Sequence, residues 1–424
     1  MKSIEDLVNN EFKSYSEYVL YNRAIPSMMD GFKSGQRKIV YTTNKVARHK
    51  LNKTASLAGA VISHANFHHG PASLEDAING LVAPFNNNIS LLEGEGSFGS
   101  RLVPAAAAAR YTFTKLSNNF DKWFADFDVM PPMKDPEDPE PRFYLPLIPW
   151  VLVNGVQGIS VGFATKIMPY DPKVLLKLVK ARLKGKNIRG MKLIPQFPDF
   201  NGTVERIGSE IMVTGSYKVI SPTKISITEV PPVFTREKYI EHLEKLASKG
   251  KISSYDDQCD ENGFQFEVRM RKDPNIIPTF ALKKVLHENI TVIGENGKLK
   301  IYDNPYELIE DFVDARIKYV EQRLKFNINR DQTSLDLVIE KIRFITEVIS
   351  GKINFKGKNK GEMVNTLTDM CYNNIDMLLK MNMYSLTKDN IDILKGMETT
   401  LIKELKHWNC TTAEIEYTED LNKL

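Results

Sequence analysis

A tyrosine that follows an arginine at the end of an alanine run, Ala105 to Ala109 and then Arg110-Tyr111, is the most chemically suggestive pair in this 424-residue sequence. A phenol is a poor nucleophile at neutral pH because its pKa is about 10. A neighbouring guanidinium favours the phenolate and also neutralises charge that develops on a phosphorus oxygen. The alanines offer a segment with almost no side-chain bulk, over which a large anionic polymer can reach the pair. Just upstream, Gly94, Gly96 and Gly99 let the backbone bend sharply and approach a bulky ligand. Taken alone, the same residues also suit an alanine-rich helix ending in one core tyrosine.

The surroundings favour an anionic polymer. Between Arg23 and Lys53 the cations Arg23, Lys33, Arg37, Lys38, Lys45, Arg48, Lys50 and Lys53 face a single acid, Asp30. That local balance of +7 exceeds the net +4 of the whole chain, and such density is the electrostatic footprint of phosphate binding. Phe67-His68-His69-Gly70-Pro71 reads as a sharp turn. Ser73 is the expected cap of a following helix that carries Leu74, Ile78 and Leu81 on its apolar side and stops at Pro84. Helix, glycine-containing turn and helix is a helix-turn-helix layout, in which the second helix meets the duplex. His68 and His69 are adjacent, so their side chains diverge, and no Cys or third His stands at ligand spacing. They are expected to bond phosphate or to serve structure, and no metal site is expected.

The elements that must position these residues follow from pattern. The length implies two to four domains, with the composition of a soluble globular protein. No apolar run reaches the roughly 18 residues of a membrane span. The start of the chain lacks the apolar core of a signal peptide, and Cys259, Cys371 and Cys410 are odd in number and far apart. A cytoplasmic protein with reduced thiols is expected. Ile4 to Tyr21 has the apolar spacing of an amphipathic helix, with Ser3 as its cap. Pro131 to Arg142, rich in proline and acids, is expected to be an exposed connector. Glycines at 155, 158 and 162 mark tight turns around Ile159. Residues 175–305 mix strand and helix signals: a half-buried strand at Phe264–Arg271, a helix at Thr235–Lys249 and an Asn296-Gly297 hairpin. From Pro305 to about Ile349 one long helix is expected, with Leu335, Val338, Ile342, Ile345 and Ile349 at the 3-4-3-4 spacing of a coiled-coil seam. Lys388 to Trp408 is long enough to pair antiparallel with part of it. The methionines and leucines of Ile375–Leu386 suit an adaptable apolar contact.

Five blocks occur in one order: Arg23-Ala-Ile-Pro, Asp30-Gly-Phe-Lys-Ser-Gly-Gln-Arg-Lys, Phe67-His-His-Gly, Gly94-Glu-Gly-Ser-Phe-Gly-Ser and Ala109-Arg-Tyr. In order and spacing they resemble the DNA breakage-reunion part of type IIA DNA topoisomerases. That family includes the A chain of gyrase, the C-terminal half of the eukaryotic enzyme and, nearest to this sequence, its T-even-like phage branch. The resemblance implies an α+β multidomain chain in three parts: a winged-helix breakage-reunion domain (1–170), a mixed α/β tower (171–305), and a long antiparallel coiled coil with a helical dimer gate (306–424). It implies that Tyr111 forms a 5′-phosphotyrosyl bond with help from Arg110, and that Lys33, Gln36, Arg37, Lys38, His68, His69 and Ser73 lie along double-stranded DNA. Ile159 falls in the block whose isoleucine wedges between base pairs. Ser34 stands where proline is usual, Glu95 where glutamine is usual, and Pro71-Ala72 where gyrase carries an acid and a serine, so drug sensitivity is not inherited from the resemblance.

The sequence carries no Glu plus Asp-x-Asp cluster in its basic region and no phosphate-binding P-loop. A split enzyme is therefore expected. Two copies of this chain supply tyrosines and gates, and ATPase/Toprim partner subunits supply the Mg²⁺ and ATP sites. The chief alternative is a non-catalytic DNA-bending or architectural protein that uses the same basic helices and wedge. A tyrosine recombinase or relaxase fits less well, since those surround the tyrosine with several dispersed Arg and His residues or a metal-binding His cluster.

Overall fold

The computed structural model describes residues 4, 7–133, 135–271 and 275–424. Two compact units divide at 316: one contains residues up to Arg316 together with 420–424, the other Ile317–Glu419.

In the first unit a helical stretch runs from Leu7 to Ala24, with widened turns at Leu7–Phe12 and Leu20–Ala24. It ends where Ile25 turns extended ahead of Pro26. The expected amphipathic helix is present, but its apolar side is not buried: Leu7, Val8, Phe12 and Tyr15 are exposed, and only Leu20, Ala24 and Ile25 join a core cluster, against Ile293 and Leu299. The expected cap, Ser3, lies outside the described residues.

Three helices follow: α1 (Ser34–Val46), α2 (Thr54–His64) and α3 (Pro71–Val82). They bury Ile39, Val40, Leu57, Val61, Leu74 and Ile78 among them. Helix α3 starts two residues before the expected cap. Pro71 occupies the first turn, where a missing N–H costs nothing, and the Ser73 hydroxyl donates back to the Gly70 carbonyl at 2.9 Å. Beside the helices lies an antiparallel sheet of β1 (Asn52–Lys53), β2 (Leu92–Glu95) and β3 (Phe113–Leu116), with β3 in the middle. The alanine run is not helical. Its backbone groups are taken by neighbours instead: Ala107 N–H bonds Ser97 O at 2.9 Å and Ala109 O accepts from Ala55 at 3.2 Å.

The acidic connector also departs from expectation. Pro132 pairs with Pro141 in an isolated bridge, and Glu140 is fully buried against Lys38. A cation that needs a partner in the interior draws this part of the segment inward. Beyond it, β4 (Val156–Ile159) and β5 (Ala164–Ile167) form a hairpin.

Residues 199–302 build further sheets in the same unit. Strands β6 (Thr203–Ile207) and β7 (Glu210–Thr214) pair with the later β12 (Lys283–His287) in the order β12-β7-β6. Strands β8 (Ser216–Ser221), β9 (Lys224–Glu229), β10 (Ile252–Asp257) and β11 (Phe266–Met270) make a four-stranded antiparallel sheet in the order β8-β9-β11-β10. Helix α4 (Arg236–Ser248), capped by the Thr235 hydroxyl, lays Tyr239 and Leu243 on Ile225, Ile227, Phe266 and Val268. The expected hairpin comprises β13 (Ile290–Ile293) and β14 (Leu299–Tyr302), with Gly297 at φ +79° in its loop.

Helix α5 (Pro305–Ile349) is 45 residues long, about 65 Å at 1.5 Å per residue. Its first turns are bolted down by Arg316, whose fully buried guanidinium meets the buried Asp126 carboxylate at 2.6 Å and donates to the Pro146 carbonyl at 3.1 Å.

In the second unit, α6 (Lys388–Cys410) packs Leu394, Ile391 and Leu401 on Val338, Ile342 and Ile345 of α5. Trp408 near the end of α6 donates to Asp331, earlier in α5, at 2.9 Å. The two helices therefore run in opposite senses. Ile349, the last residue of the expected seam, is exposed. Residues 353–386 form a separate apolar cluster around Phe344, Leu367, Tyr372 and Leu378, from which Met383 (83%) and Tyr384 (88%) project into solvent.

Candidate active site

Tyr111 sits on a tight turn, its N–H bonded to the Ala108 carbonyl at 2.8 Å, and its side chain is 65% exposed. The turn is held from both sides. The Ala109 and Thr112 carbonyls accept the N–H groups of Ala55 and Thr54 at the start of α2. Thr112, Thr54 and Thr114 join their hydroxyls in a buried chain of 2.8 and 3.0 Å. Gly96, at φ +109°, comes so close that an added Cβ would lie 3.2 Å from the Tyr111 carbonyl. An exposed phenol on a rigid turn pays little to meet a macromolecule. Arg110, also exposed, places its guanidinium 5.0 Å from the Tyr111 ring centroid. The phenol is open to an incoming ligand, and the guanidinium beside it is a cation within reach of an anion bound there.

The basic stretch divides into two kinds of cation. Arg37 and Lys38, expected along the duplex, are both paired with carboxylates inside the protein. Arg37 is buried and forked onto Asp30 (2.8 and 3.0 Å), which also accepts the Phe32 and Tyr144 N–H groups. Burial works against the Arg37 charge, but Asp30 overcomes it and holds the guanidinium above its ordinary pKa. Lys38 is buried between Asp138 (2.6 Å) and Glu140 (2.8 Å) and donates to the Ala65 carbonyl. Lys38 also lines the recess shared by Lys33, Gln36, His68, His69 and Ser73.

Lys33 is half-buried and donates to the Gln157 carbonyl of β4 at 2.7 Å; burial lowers its pKa. Gln36 accepts the Lys33 N–H and so closes the first turn of α1. His68 is exposed. His69 lies 2.8 Å from the Tyr18 hydroxyl and 2.6 Å from an Arg23 guanidinium nitrogen. Burial, then Arg23 and His68, depress its pKa, which keeps the imidazole neutral and able to accept from Arg23. Lys33, Gln36, His68, His69 and Ser73 line one recess of about 660 Å³, with Arg23 and Tyr18. Asp135, Glu137 and Asp138 of the acidic segment border the same recess. Arg23 was legible as a basic residue; nothing in its spacing announced the histidine.

Ile159 projects from the end of β4 with its side chain 77% exposed, beside exposed Val161 and Phe163. The hairpin beneath it is seated firmly. A Cβ on Gly158 would lie 1.9 Å from the Ala24 carbonyl oxygen, so only glycine permits that approach. Asn289 pairs with Lys166 at the hairpin's other edge.

Among the described residues there is no group of three or more His, Cys, Asp or Glu arranged to hold a metal ion. The acids of β2, which pairs with β3 just after the tyrosine turn, do not fit one. Glu93 is held below the usual carboxylate range by the Ser117 hydroxyl and by Lys115, and Glu95 stands exposed opposite Phe113.

A family model for the A chain of DNA gyrase/topoisomerase IV matches residues 23–423. The DNA topoisomerase medium subunit of Enterobacteria phage T4 is 38% identical over 100% of this chain and 99% of its own length. DNA topoisomerase 2 of Arabidopsis thaliana is 33% identical over 85% of this chain, which spans 26% of that longer protein. Among solved structures, the Plasmodium falciparum topoisomerase II DNA-binding, cleavage and re-ligation domain superposes with a TM-score of 0.88 at 28% identity, covering 99% of this chain and 63% of that one. A rigid tyrosine turn on a basic helical module thus coincides with likeness along the full chain: the protein belongs to the family of the DNA gyrase/topoisomerase IV A chain.

Proposed function

We propose that Tyr111 is the nucleophile with which this chain opens one strand of a DNA duplex, and that a second copy opens the other strand. As a member of its family the chain is a DNA-cleaving and rejoining subunit of a type II DNA topoisomerase, and that likeness supports cleavage over a purely architectural role. The exposed Tyr111 under Arg110, on a turn fixed to α2, is the observation that carries the residue assignment. The phenolic oxygen attacks the phosphorus, the bond to the 3′-oxygen breaks, and the phenol's proton is lost while the leaving oxygen gains one. The 5′-phosphotyrosyl link conserves the phosphoester, so rejoining is the same step reversed. Arg110 stabilises charge on the phosphoryl oxygens.

In this reading helices α1–α3 and their sheet act as the winged-helix module of residues 1–170, and residues 171–305 as the tower. Residues 306–424 supply a coiled coil and a dimer gate at the Met383-Tyr384 tip. Lys33, Gln36, His68, His69 and Ser73 face the duplex, and Ile159 wedges a base step and bends it, as its exposure on a clamped hairpin suits. Mg²⁺ and ATP are assigned in this reading to ATPase/Toprim partner subunits in the cell interior, which the name of the phage T4 relative, a medium subunit, supports. No described helix is long and apolar enough to cross a membrane. The assignment is tested by plasmid relaxation. The chain mixed with a topoisomerase ATPase/Toprim subunit, Mg²⁺ and ATP is expected to relax supercoils in steps of two in linking number. The chain alone with Mg²⁺ is expected not to, and strong relaxation by it contradicts the split-enzyme reading.

A further inference from the structure

The strap that ends in Tyr111 is anchored twice, and its upstream anchor lies in the sheet body of residues 199–287. Arg101 places Nη1 2.7 Å from Glu229 Oε1, with the two side chains 12% and 5% exposed. The same guanidinium donates to the Asp199 carbonyl at 3.0 Å and to that of Val230, and it lies over the Phe200 and Phe264 rings at 5.2 and 4.9 Å. Leu102 packs on the core cluster of that body, and its carbonyl accepts the Arg236 N–H at 3.3 Å. Glu229 is itself fixed: its carboxylate accepts the Asn201 N–H at 2.9 Å and the Val230 N–H at 2.8 Å.

The strap is also tied to the residues just ahead of Arg101, which leaves it little freedom. Gly99, at φ +80°, packs so tightly on the next turn that a Cβ would lie 2.6 Å from the Pro104 carbonyl. Ser100 N–H bonds Val103 O at 2.8 Å, and Ala107 bonds Ser97. A shift of Arg101 is therefore passed along a short, internally bonded chain to the tyrosine turn. A surface ion pair contributes little. This one is buried, bonded to two carbonyls besides the carboxylate, and stacked on aromatic rings, which defines geometry far more than it adds stability.

We infer that Arg101 is a positioning residue for strand cleavage: through Glu229 it ties the tyrosine strap to the sheet body and thereby sets where the Tyr111 phenol meets the phosphate. The inference rests on Tyr111 being the nucleophile. It assigns Arg101 no contact with DNA.

The test uses the full chain with an ATPase/Toprim topoisomerase subunit, Mg²⁺ and a labelled duplex, and measures DNA affinity and covalent protein–DNA complex separately. Because Arg101→Ala strands a buried carboxylate and can unfold the region, the deciding variant is the double replacement Arg101→Leu with Glu229→Gln, which removes both charges and keeps an acceptor for the Asn201 and Val230 N–H groups, beside Arg101→Lys. The double variant is expected to bind the duplex within about twofold of the unsubstituted chain, while covalent complex falls roughly tenfold to a hundredfold, the cost of about 1 Å of misplacement. Arg101→Lys, which keeps the charge and loses the fork, is expected to fall between. Covalent yield within twofold of the unsubstituted chain, or a loss matched by an equal loss of affinity, overturns the positioning role. An unsubstituted chain that binds DNA and forms no covalent complex contradicts the nucleophile assignment instead.

Discussion

At the scale of single residues, charge sign is a poor guide to what a cation meets. Arg37 and Lys38 sit in a stretch with one acid, so the sequence marks them as phosphate ligands, yet both are buried in ion pairs. One Lys38 partner, Asp138, lies 100 residues along the chain, where no local pattern reaches. The Arg37 partner Asp30 was visible, as the lone acid of the stretch. Asp30→Asn is expected to cost about 3–5 kcal/mol in urea unfolding, because it leaves the Arg37 charge buried without its counterion. Replacing both, Asp30→Asn with Arg37→Met, is expected to leave the slope of log affinity against log salt unchanged; a slope smaller by about 0.9 would show that Arg37 neutralises a phosphate after all. His69 supplies a pH prediction. Its pKa is depressed by burial and by Arg23, so the unfolded chain binds this proton more readily than the folded one. Its contribution to stability is complete above the ordinary histidine value of about 6.5 and is lost as pH falls below it towards the depressed value. NMR titration of the free chain is expected to place the His69 midpoint below 6.5, and Arg23→Ala to raise it; an unmoved midpoint would remove Arg23 from the cause.

Elements were more legible than residues wherever periodicity had something to bury. The 45-residue helix, the Thr235-capped helix and the hairpin at Gly297 all lie where apolar spacing and turn residues put them. The alanine run misled the helical reading of its composition, because its N–H and C=O groups are claimed by Ser97 and Ala55. Helices α1 and α2 escaped notice behind the charge pattern. The wedge hairpin carries the element-scale prediction. Ile159 is 77% exposed, so Ile159→Ala is expected to change stability by no more than about 0.5 kcal/mol. Energy transfer between the labelled ends of a bound duplex is expected to report a markedly smaller bend. Gly158→Ala drives a Cβ into the Ala24 carbonyl and is expected to destabilise the chain by about 1–3 kcal/mol or more. An unchanged bend in the isoleucine variant would leave Ile159 as a surface residue without the wedge role.

Across the whole molecule, the ordered motif blocks made the family readable, while the limits of the compact units were not. Helical spacing continues unbroken through Arg316, whose buried contact with Asp126, together with the Arg182–Asp314 and Arg189–Glu310 pairs, anchors the first turns of α5. Met383 and Tyr384, adjacent in the segment ahead of α6, are 83% and 88% exposed and offer an apolar contact to a second copy of the chain. Met383→Asp with Tyr384→Asp is expected to leave the melting temperature unchanged and to weaken self-association in sedimentation; a dimer of undiminished strength would move the gate contact elsewhere. The central claim is that Tyr111 breaks DNA by joining it. The chain is mixed with an ATPase/Toprim subunit, Mg²⁺ or Ca²⁺, and duplexes labelled at either the 5′ or the 3′ end, then denatured. Protein is expected on the 5′ side of a staggered double break, and Tyr111→Phe is expected to abolish it without loss of DNA binding. Covalent linkage that survives Tyr111→Phe, or DNA bound but never linked with the partner present, would contradict it.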